Sequence, residues 1–130
     1  MDVSKREIEY LEAIATLEKS SPRVTLTALA EYLNVSVPSV YEEISHLKEK
    51  GYVERSGKAV KLTDKGRDAL EQYKKAHRVL ELLLVKAGVS PDRACELSAQ
   101  FDVSVPEEVI EALYKYLGEP KACPHGNPIP

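Results

Sequence analysis

The feature that most constrains the fold of this chain is a pair of short amphipathic segments separated by only three residues. Thr25 can cap a first short helix, whose apolar side chains recur at three-to-four-residue spacing. Asn34-Val35-Ser36 supplies a tight turn, and Ser36 can cap a second helix that Gly51 ends. Two short helices joined this closely predict a helix-turn-helix motif.

The segments on either side extend this motif. Apolar residues alternate around Ser56-Gly57-Lys58, which favours a β-hairpin directly after the second short helix. An amphipathic helix is expected over about Ser4–Lys19 and a long helix over about Asp64–Ala87. We therefore predict a winged helix-turn-helix domain at residues 1–72.

The rest of the chain predicts an all-helical domain at residues 73–130, so the fold class is mainly α. Helices are expected at about 91–100 and 107–116. A capping box over Ser104–Glu107 would start the last helix, whose predicted apolar side is Val109, Leu113 and Leu117. The tail from Pro120 to Pro130 holds four prolines and is expected to be extended. The roughly 40 residues after the long helix are too few for a sufficient core, which predicts a homodimer.

Composition and charge exclude several classes of protein. A chain of 130 residues has no room for a large catalytic barrel, and 6% aromatic residues without Trp disfavour a stacking platform for single-stranded nucleic acid. The N-terminus has no apolar signal segment and no apolar run approaches a membrane span, so we expect a cytoplasmic protein without membrane contact. The net charge of −3 hides residues 44–67, which carry seven basic and three acidic side chains.

The second helix of the motif is the predicted DNA reader, because a helix fits the major groove and its N-terminal side chains meet base edges. The basic stretch would contact phosphates and set the register. The candidate DNA-binding residues are Ser36, Pro38, Ser39, Tyr41, Glu42, Lys48, Lys50, Arg55, Lys58 and Lys61. A winged helix that serves as a protein-interaction module is the alternative, since carboxylates such as Glu42 and Glu43 are repelled near DNA unless one accepts a bond from cytosine.

Three pairs of side chains could each contribute to a divalent-metal site. They are Glu9 with Glu12 on the first helix, His77 with Glu81 on the long helix, and Cys123 with His125 in the tail. The ordinary alternatives are solvent-exposed helix faces for the first two pairs and a loose tail for the third. A nucleophilic Cys123 would need an oxyanion hole and an orienting acid that the sequence does not show, so we expect no enzymatic activity.

These residues in this order resemble the DtxR/MntR family of metal-dependent transcriptional repressors over essentially the whole chain. The resemblance rests on EYLEAI, LNVSVPSVYEEISHLKEKGYVE, VKLTDKG, HRVLE and the terminal CPHGNPIP. It implies a homodimer with an N-terminal winged helix and a helical dimerisation and metal-binding domain, in the short form without an SH3-like domain. It also implies that iron(II) or manganese(II) orients the winged helices on a palindromic operator and represses metal-uptake genes.

Carried over by position, the resemblance implies that the three pairs named above are metal ligands, with Cys123 and His125 used in some members. The fifth helix departs from the family because its usual Glu-His pair is missing. Only Cys95, Glu96, Gln100 or Asp102 could substitute from that region.

The ligand set left intact is His77, Glu81, Cys123 and His125, and it is softer than an oxygen-rich manganese site. Iron(II), zinc or cobalt would suit these nitrogen and sulfur donors better. The missing Glu-His pair also keeps open a winged-helix regulator that has lost its metal control. A third possibility is an interaction or metal-buffering protein that does not bind DNA specifically.

Overall fold

The computed structural model describes residues 2–130, which form two compact units made chiefly of Val3–Leu70 and Glu71–Pro130. The fold is mainly helical, as predicted, and includes a small three-stranded sheet. The elements are α1 (Lys5–Glu18), β1 (Val24–Thr25), α2 (Leu26–Leu33), α3 (Val37–Glu49), β2 (Val53–Ser56), β3 (Ala59–Leu62), α4 (Asp64–Lys86), α5 (Pro91–Ala99), a 3-10 turn (Asp102–Ser104) and α6 (Glu107–Tyr116). The predicted domain division at residue 72 stays a prediction. None of the described helices has the length and apolar character that a membrane crossing requires.

The first three helices begin at side-chain caps. Ser4 and Glu7 form a capping box on α1, in which each side chain accepts the backbone N–H of the other residue, at 3.1 and 2.9 Å. Thr25 and Ser36 cap α2 and α3, as the sequence predicts. Asn34 joins these two helices at φ 55°, a left-handed conformation that asparagine tolerates. The helix-turn-helix is therefore specified locally.

The predicted hairpin is present as β2 and β3, which pair antiparallel with Val53 opposite Leu62 and Ser56 opposite Ala59. The strand β1 was not predicted, and it pairs with β3 through Val24 opposite Val60. Two residues are too few to show an alternating pattern, so the sequence carries no signal for β1. The sheet order is β1-β3-β2, which gives the helix-turn-helix its wing.

One core joins the helices of the Val3–Leu70 unit. The apolar residues of α1, α2 and α3 that are fully buried recur at helical spacing. They are Ile8, Leu11, Ile14, Leu29, Val40, Ile44 and Leu47. Burial of this set removes each helix's apolar face from water and fixes α3 against its neighbours.

The Glu71–Pro130 unit has its own smaller core. Ala76, Val79 and Leu80 of α4 pack with Ile110 of α6 and with Ile129 of the tail. The half-buried residues around this cluster are Val105, Leu113, Tyr114 and Leu117. The tail is therefore part of the packed unit.

One prediction about α6 is wrong, and a second is confirmed only in part. Ser104 does not cap this helix, because it lies in the 3-10 turn; Pro106 is the N-cap residue and no side chain caps the helix. The acidic first turn, which contains Glu107, complements the helix dipole instead. Val109 is 44% exposed, and Ile110 takes the buried position next to it. Leu113 and Leu117 pack against the core as predicted, so Val109 is the predicted position that is wrong.

The prediction of an extended tail is also wrong. The chain folds back on itself, with Ala122 bridged antiparallel to Pro128. The N–H of Cys123 donates to Asn127 O at 2.8 Å, and the N–H of Gly126 donates to Cys123 O at 2.9 Å. Gly126 has a φ of 84°, which a turn needs and which glycine adopts without a steric penalty. The prolines therefore flank a compact turn.

Candidate metal centre and nucleic-acid interface

His77 and Glu81 lie one turn apart on α4 and face the same side of the helix. His77 Nε2 lies 2.9 Å from Glu81 Oε1. The Glu81 side chain is only 4% exposed, although it carries a carboxylate. A buried carboxylate needs a cation or hydrogen-bond donors around it. This pair is therefore a candidate cation-binding position.

Cys95 of α5 joins this pair. Its Sγ lies 3.5 Å from His77 Nε2, the same nitrogen that contacts Glu81. Burial raises the pKa of the Cys95 thiol, and the negative charges of Glu81, Cys123 and Asp92 raise it further. The electrostatic potential around Cys95 is therefore negative and favours a bound cation. Binding of a cation would release the thiol proton.

The tail brings Cys123 and His125 to the other side of Glu81. His125 Nδ1 lies 3.2 Å from Glu81 Oε2, and His125 Nε2 lies 2.9 Å from Asp92 Oδ1. Hydrogen bonds to Asp92 and Glu81 raise the pKa of His125 above its ordinary value of 6.5. Cys123 is buried, and the tail turn holds its backbone.

Five side chains in the Glu71–Pro130 unit thus offer donors to a metal ion. They form two groups, His77 with Glu81 and Cys95, and Glu81 with Cys123 and His125. Within each group the donor atoms lie within 4.8 Å of one another. Ligand atoms around a tetrahedral zinc ion are about 3.5 Å apart, so each group can close on an ion with small side-chain movements. The donor set fits a divalent transition metal.

Two carboxylates contact the imidazole nitrogens that do not face Glu81. Asp102 Oδ2 lies 2.9 Å from His77 Nδ1, and Asp92 Oδ1 lies 2.9 Å from His125 Nε2. Asp102 is fully buried, whereas the Asp92 side chain is 93% exposed. A carboxylate on the outer nitrogen fixes the tautomer and orientation of a ligating histidine. Asp102 was predicted only as a substitute ligand, and Asp92 was not predicted at all.

The remaining predicted ligands lie elsewhere. Glu9 and Glu12 are on α1 in the Val3–Leu70 unit, where Glu9 is exposed and Glu12 is half-buried, and neither belongs to the two donor groups. Glu96 pairs with Arg93 on the surface of α5, at 3.0 Å. Cys95 is the residue of α5 that reaches a donor group.

The predicted base-reading residues cluster at the start of α3. Ser36, Pro38, Tyr41 and Glu42 are exposed, and Ser39 is half-buried. The hydroxyl of Ser36 accepts the Ser39 N–H at 3.2 Å and also lies 2.8 Å from Ser39 Oγ. The helix cap therefore orients the Ser36 and Ser39 side chains.

The residues predicted to contact phosphates differ in whether their charged groups already interact with another side chain. Lys50 Nζ lies 2.8 and 3.0 Å from the two carboxylate oxygens of Glu7, so its charge is paired within the unit. The Arg55 guanidinium lies over the Tyr41 ring, 4.7 Å from the centroid, and joins the wing to α3. Lys61 pairs with Glu54 at 3.5 Å on the surface, while Lys48 and Lys58 are exposed.

A winged helix followed by a helical unit with a nitrogen, sulfur and carboxylate donor cluster defines the class of DNA-binding regulators that carry a metal-binding domain. Comparison with protein families identifies the particular family. Residues 2–59 match the iron-dependent repressor N-terminal DNA-binding domain, and residues 63–130 match the iron-dependent repressor metal-binding and dimerisation domain. The chain belongs to the iron-dependent repressor family.

Individual relatives are consistent with this family assignment. The chain is 35% identical over 127 residues to an uncharacterized HTH-type transcriptional regulator of Aeropyrum pernix, and the match covers 95% of this chain and 71% of that protein. It is 31% identical to the iron-dependent repressor IdeR of Mycobacterium tuberculosis, covering 93% of this chain but 54% of IdeR. The chain thus spans about half the length of that repressor.

A solved structure is similar over its full length. The crystal structure of a hypothetical protein from Sulfolobus solfataricus has a TM-score of 0.93 and 44% sequence identity. The match covers 98% of this chain and 99% of that one. The family and the mainly helical fold predicted from the sequence are therefore confirmed.

Proposed function

We propose that this protein is a winged-helix transcriptional regulator whose affinity for DNA depends on a divalent transition metal. The observation that carries the proposal is the convergence of five donors from α4, α5 and the tail in a chain that also holds a helix-turn-helix. The ligands that we propose are His77, Glu81, Cys95, Cys123 and His125. Regulation of transcription, and not catalysis, is the proposed activity.

The protein's own residues account for how such a site would act. Three segments that are distant in sequence each supply part of the donor set. An ion in the first donor group would hold α4 to α5, and an ion in the second would hold α4 to the tail. Without a bound ion, the carboxylates of Glu81 and Asp92 both contact His125, at 3.2 and 2.9 Å. A ligand that binds one arrangement better shifts the population towards it, which is how we expect metal binding to favour the DNA-binding state.

For the DNA-binding half, we propose that α3 enters the major groove and that Lys48, Arg55 and Lys58 contact phosphates. The regulator would act as a homodimer on a palindromic operator, because two-fold symmetry in the protein requires two-fold symmetry in the site. Such a protein works where the DNA is, so we place it in the cytoplasm. The genes that we expect it to repress are those for metal uptake.

We propose iron(II) as the physiological metal, since IdeR is named an iron-dependent repressor and the donor set contains nitrogen and sulfur. Manganese(II) remains the family alternative that the sequence predicts, and zinc or cobalt(II) would also fit thiolate and imidazole ligands. Glu9 and Glu12 stay predicted ligands that α1 would add.

The test is a DNA-binding titration under anaerobic, reducing conditions. Chelator-stripped protein is titrated onto a labelled fragment of its own promoter, with and without iron(II), manganese(II), zinc or cobalt(II). We expect at least one metal to raise the affinity about tenfold or more, and we expect Glu81→Gln to abolish that increase. Equal binding by the stripped protein and by every loaded form would identify a regulator without metal control.

A further inference from the structure

The helix α3 carries two adjacent carboxylates, Glu42 and Glu43, which differ in their surroundings. The Glu43 side chain is only 16% exposed, and its Oε2 lies 3.8 Å from Nε of Arg6 on α1. Glu42 is exposed, and within residues 2–130 its carboxylate forms no ion pair. Glu43 is therefore held against the protein, whereas Glu42 is available to a ligand.

Glu42 lies on the face of α3 that points away from the core. Val40 and Ile44 are fully buried, and Glu42 is two residues from each of them. Because successive helical residues are about 100° apart, this spacing places Glu42 on the opposite face of the helix. Pro38 and His46, one turn before and after Glu42, are exposed as well. Glu42 is thus at the middle of an outward-facing row.

The position of Glu42 along α3 is the one that meets base edges. A recognition helix contacts bases through its N-terminal residues, and Glu42 lies in the first half of the helix Val37–Glu49. Glu49 is also exposed on this face, but it is the last residue of α3 and lies about 10 Å further along the axis. Glu42 is therefore the carboxylate that a base in the major groove would meet.

An ionised carboxylate can only accept hydrogen bonds, which restricts the bases that it can contact. In the major groove guanine presents two acceptors, and thymine presents an acceptor and a methyl group. Adenine presents the N6 donor beside the N7 acceptor, whereas cytosine presents the N4 donor alone. Cytosine is therefore the base whose edge matches Glu42 without bringing an acceptor against it.

The charge of Glu42 makes this match selective. The phosphates of DNA repel a carboxylate, and the exposed ammonium groups of Lys48 and Lys58 offset that repulsion for the domain as a whole, whatever the sequence. A hydrogen bond from a base offsets it only where the sequence supplies a donor. Specificity often depends on such a group that penalises the wrong partner.

We infer that Glu42 is a specificity-determining residue, whose carboxylate accepts a hydrogen bond from N4 of a cytosine in each half-site. This inference rests on the proposed function, because it assumes that α3 enters the major groove. It adds the identity of one base in the operator and the residue that reads it. It also gives the exposed carboxylate a role in DNA binding.

The experiment selects binding sites from a pool of random-sequence duplexes with the full chain under anaerobic conditions. Parallel arms contain chelator, iron(II), manganese(II), zinc or cobalt(II). The variants are Glu42→Gln and Glu42→Ala, and Glu49→Gln, an exposed carboxylate on the same face, is the matched control. Affinities are then measured for the selected duplex, for its single-base substitutions and for an unrelated duplex.

We expect the wild type and the control to select a motif with cytosine at one position of each half-site. Another base there should weaken wild-type binding about fivefold or more. Glu42→Ala should bind all four bases within about twofold, and Glu42→Gln should prefer adenine, because an amide both donates and accepts. Both variants should bind the unrelated duplex more tightly than the wild type, an effect that a merely structural role would not produce.

The same base preference in the wild type and in both Glu42 variants would overturn the inference, as would a wild-type preference for a base other than cytosine at the affected position. A Glu42-dependent motif selected equally with chelator and with every metal would keep the inference and contradict metal control. No selected motif in any arm would overturn both the inference and sequence-specific DNA binding.

Discussion

Asp102 carries a carboxylate and yet is fully buried, with Oδ2 2.9 Å from His77 Nδ1. Because it orients the imidazole and increases its basicity, we predict that Asp102→Asn lowers metal affinity roughly 10- to 100-fold. Asp92→Asn is the matched control, since Asp92 supports His125 in the same way from an exposed position, where the pairing is screened by water.

A competition titration against a coloured chelator measures both variants. An Asp92→Asn loss as large as the Asp102→Asn loss would show that burial does not decide the contribution of the supporting carboxylate. An unchanged affinity in Asp102→Asn would remove its role as a positioning residue.

Glu7 links the cap of α1 to Lys50. Burial alone would raise the pKa of Glu7, but the Lys50 ammonium and the hydrogen bonds from Ser4 together lower it below 4.5. A group whose folded-state pKa is lowered stabilises the fold above its unfolded pKa, and this stabilisation is lost as the pH falls through the folded value. The Glu7 contribution is therefore present at neutral pH and fades below about pH 4.5.

Glu7→Gln keeps the capping-box acceptor and removes the charge. We predict that it lowers the free energy of unfolding by about 0.5–1 kcal/mol at pH 7, because the Lys50 side chain is 44% exposed and the pairing is partly screened. Urea unfolding at pH 7 and at pH 3 gives the comparison. A wild-type advantage of the same size at both pH values would contradict the charge argument.

Residue spacing identified the pairs of candidate donors that are close in sequence, but not the contacts that tertiary folding creates. His77 and Glu81 are four residues apart on one helix, and Cys123 and His125 share one turn, so both pairs are visible locally. Cys95 reaches His77 only because α5 packs beside α4. No periodicity connects residues that are 18 positions apart.

At the scale of elements, Gly66 fixes how α4 starts against the loop before β2. A Cβ atom at this position would lie 2.1 Å from the backbone oxygen of Tyr52, and a backbone atom cannot move aside as a flexible side chain can. Tyr52 O also accepts the N–H of Thr63 at 3.1 Å. We predict that Gly66→Ala destabilises the fold by about 1–3 kcal/mol or more, despite the better helix propensity of alanine.

Thermal unfolding measures this effect, and Asp68→Ala on the exposed face of the same helix is the control. The control should change stability by less than about 0.5 kcal/mol. If Gly66→Ala were as stable as the control, α4 would have to be able to move away from Tyr52.

The tail turn depends on Ile129, which is buried against Ala76, Val79 and Ile110. The N–H of Ile129 also donates to Lys121 O at 2.8 Å. Ile129→Ala removes this anchor without touching a proposed ligand, and we predict that it weakens the metal group of Cys123 and His125 more than the group of His77 and Cys95.

Cobalt titration resolves the two groups, and Lys121→Ala, an exposed change that keeps the backbone bond, is the control. Equal weakening of both groups by Ile129→Ala would indicate a general loss of the helical core. No weakening of either group would show that the tail holds its position without this side chain.

The elements that the sequence predicted well are those with local signals. Caps at Thr25 and Ser36 mark helix starts, and the glycine turn marks the hairpin. The prediction for the tail was wrong because its prolines suggested an extended chain. The turn is instead closed by backbone hydrogen bonds and by the packing of Ile129. Neither influence can be read from composition.

At the scale of the whole molecule, the proposed function couples metal binding by the Glu71–Pro130 unit to DNA binding by the Val3–Leu70 unit. The family assignment supplies both partners of this coupling, since its two domains bind DNA and metal. Coupling between two binding events is reciprocal, so a metal that raises the affinity for DNA must be bound more tightly in the presence of DNA by the same factor.

Reciprocal titrations measure this coupling from both sides. The affinity for the promoter fragment is measured with stripped and with metal-loaded protein, and the affinity for metal is measured with and without saturating fragment. We predict two equal ratios of about tenfold or more, or about 1.4 kcal/mol of coupling, and their loss in Glu81→Gln. Ratios of one on both sides would contradict metal-dependent regulation, because metal and DNA would then bind independently.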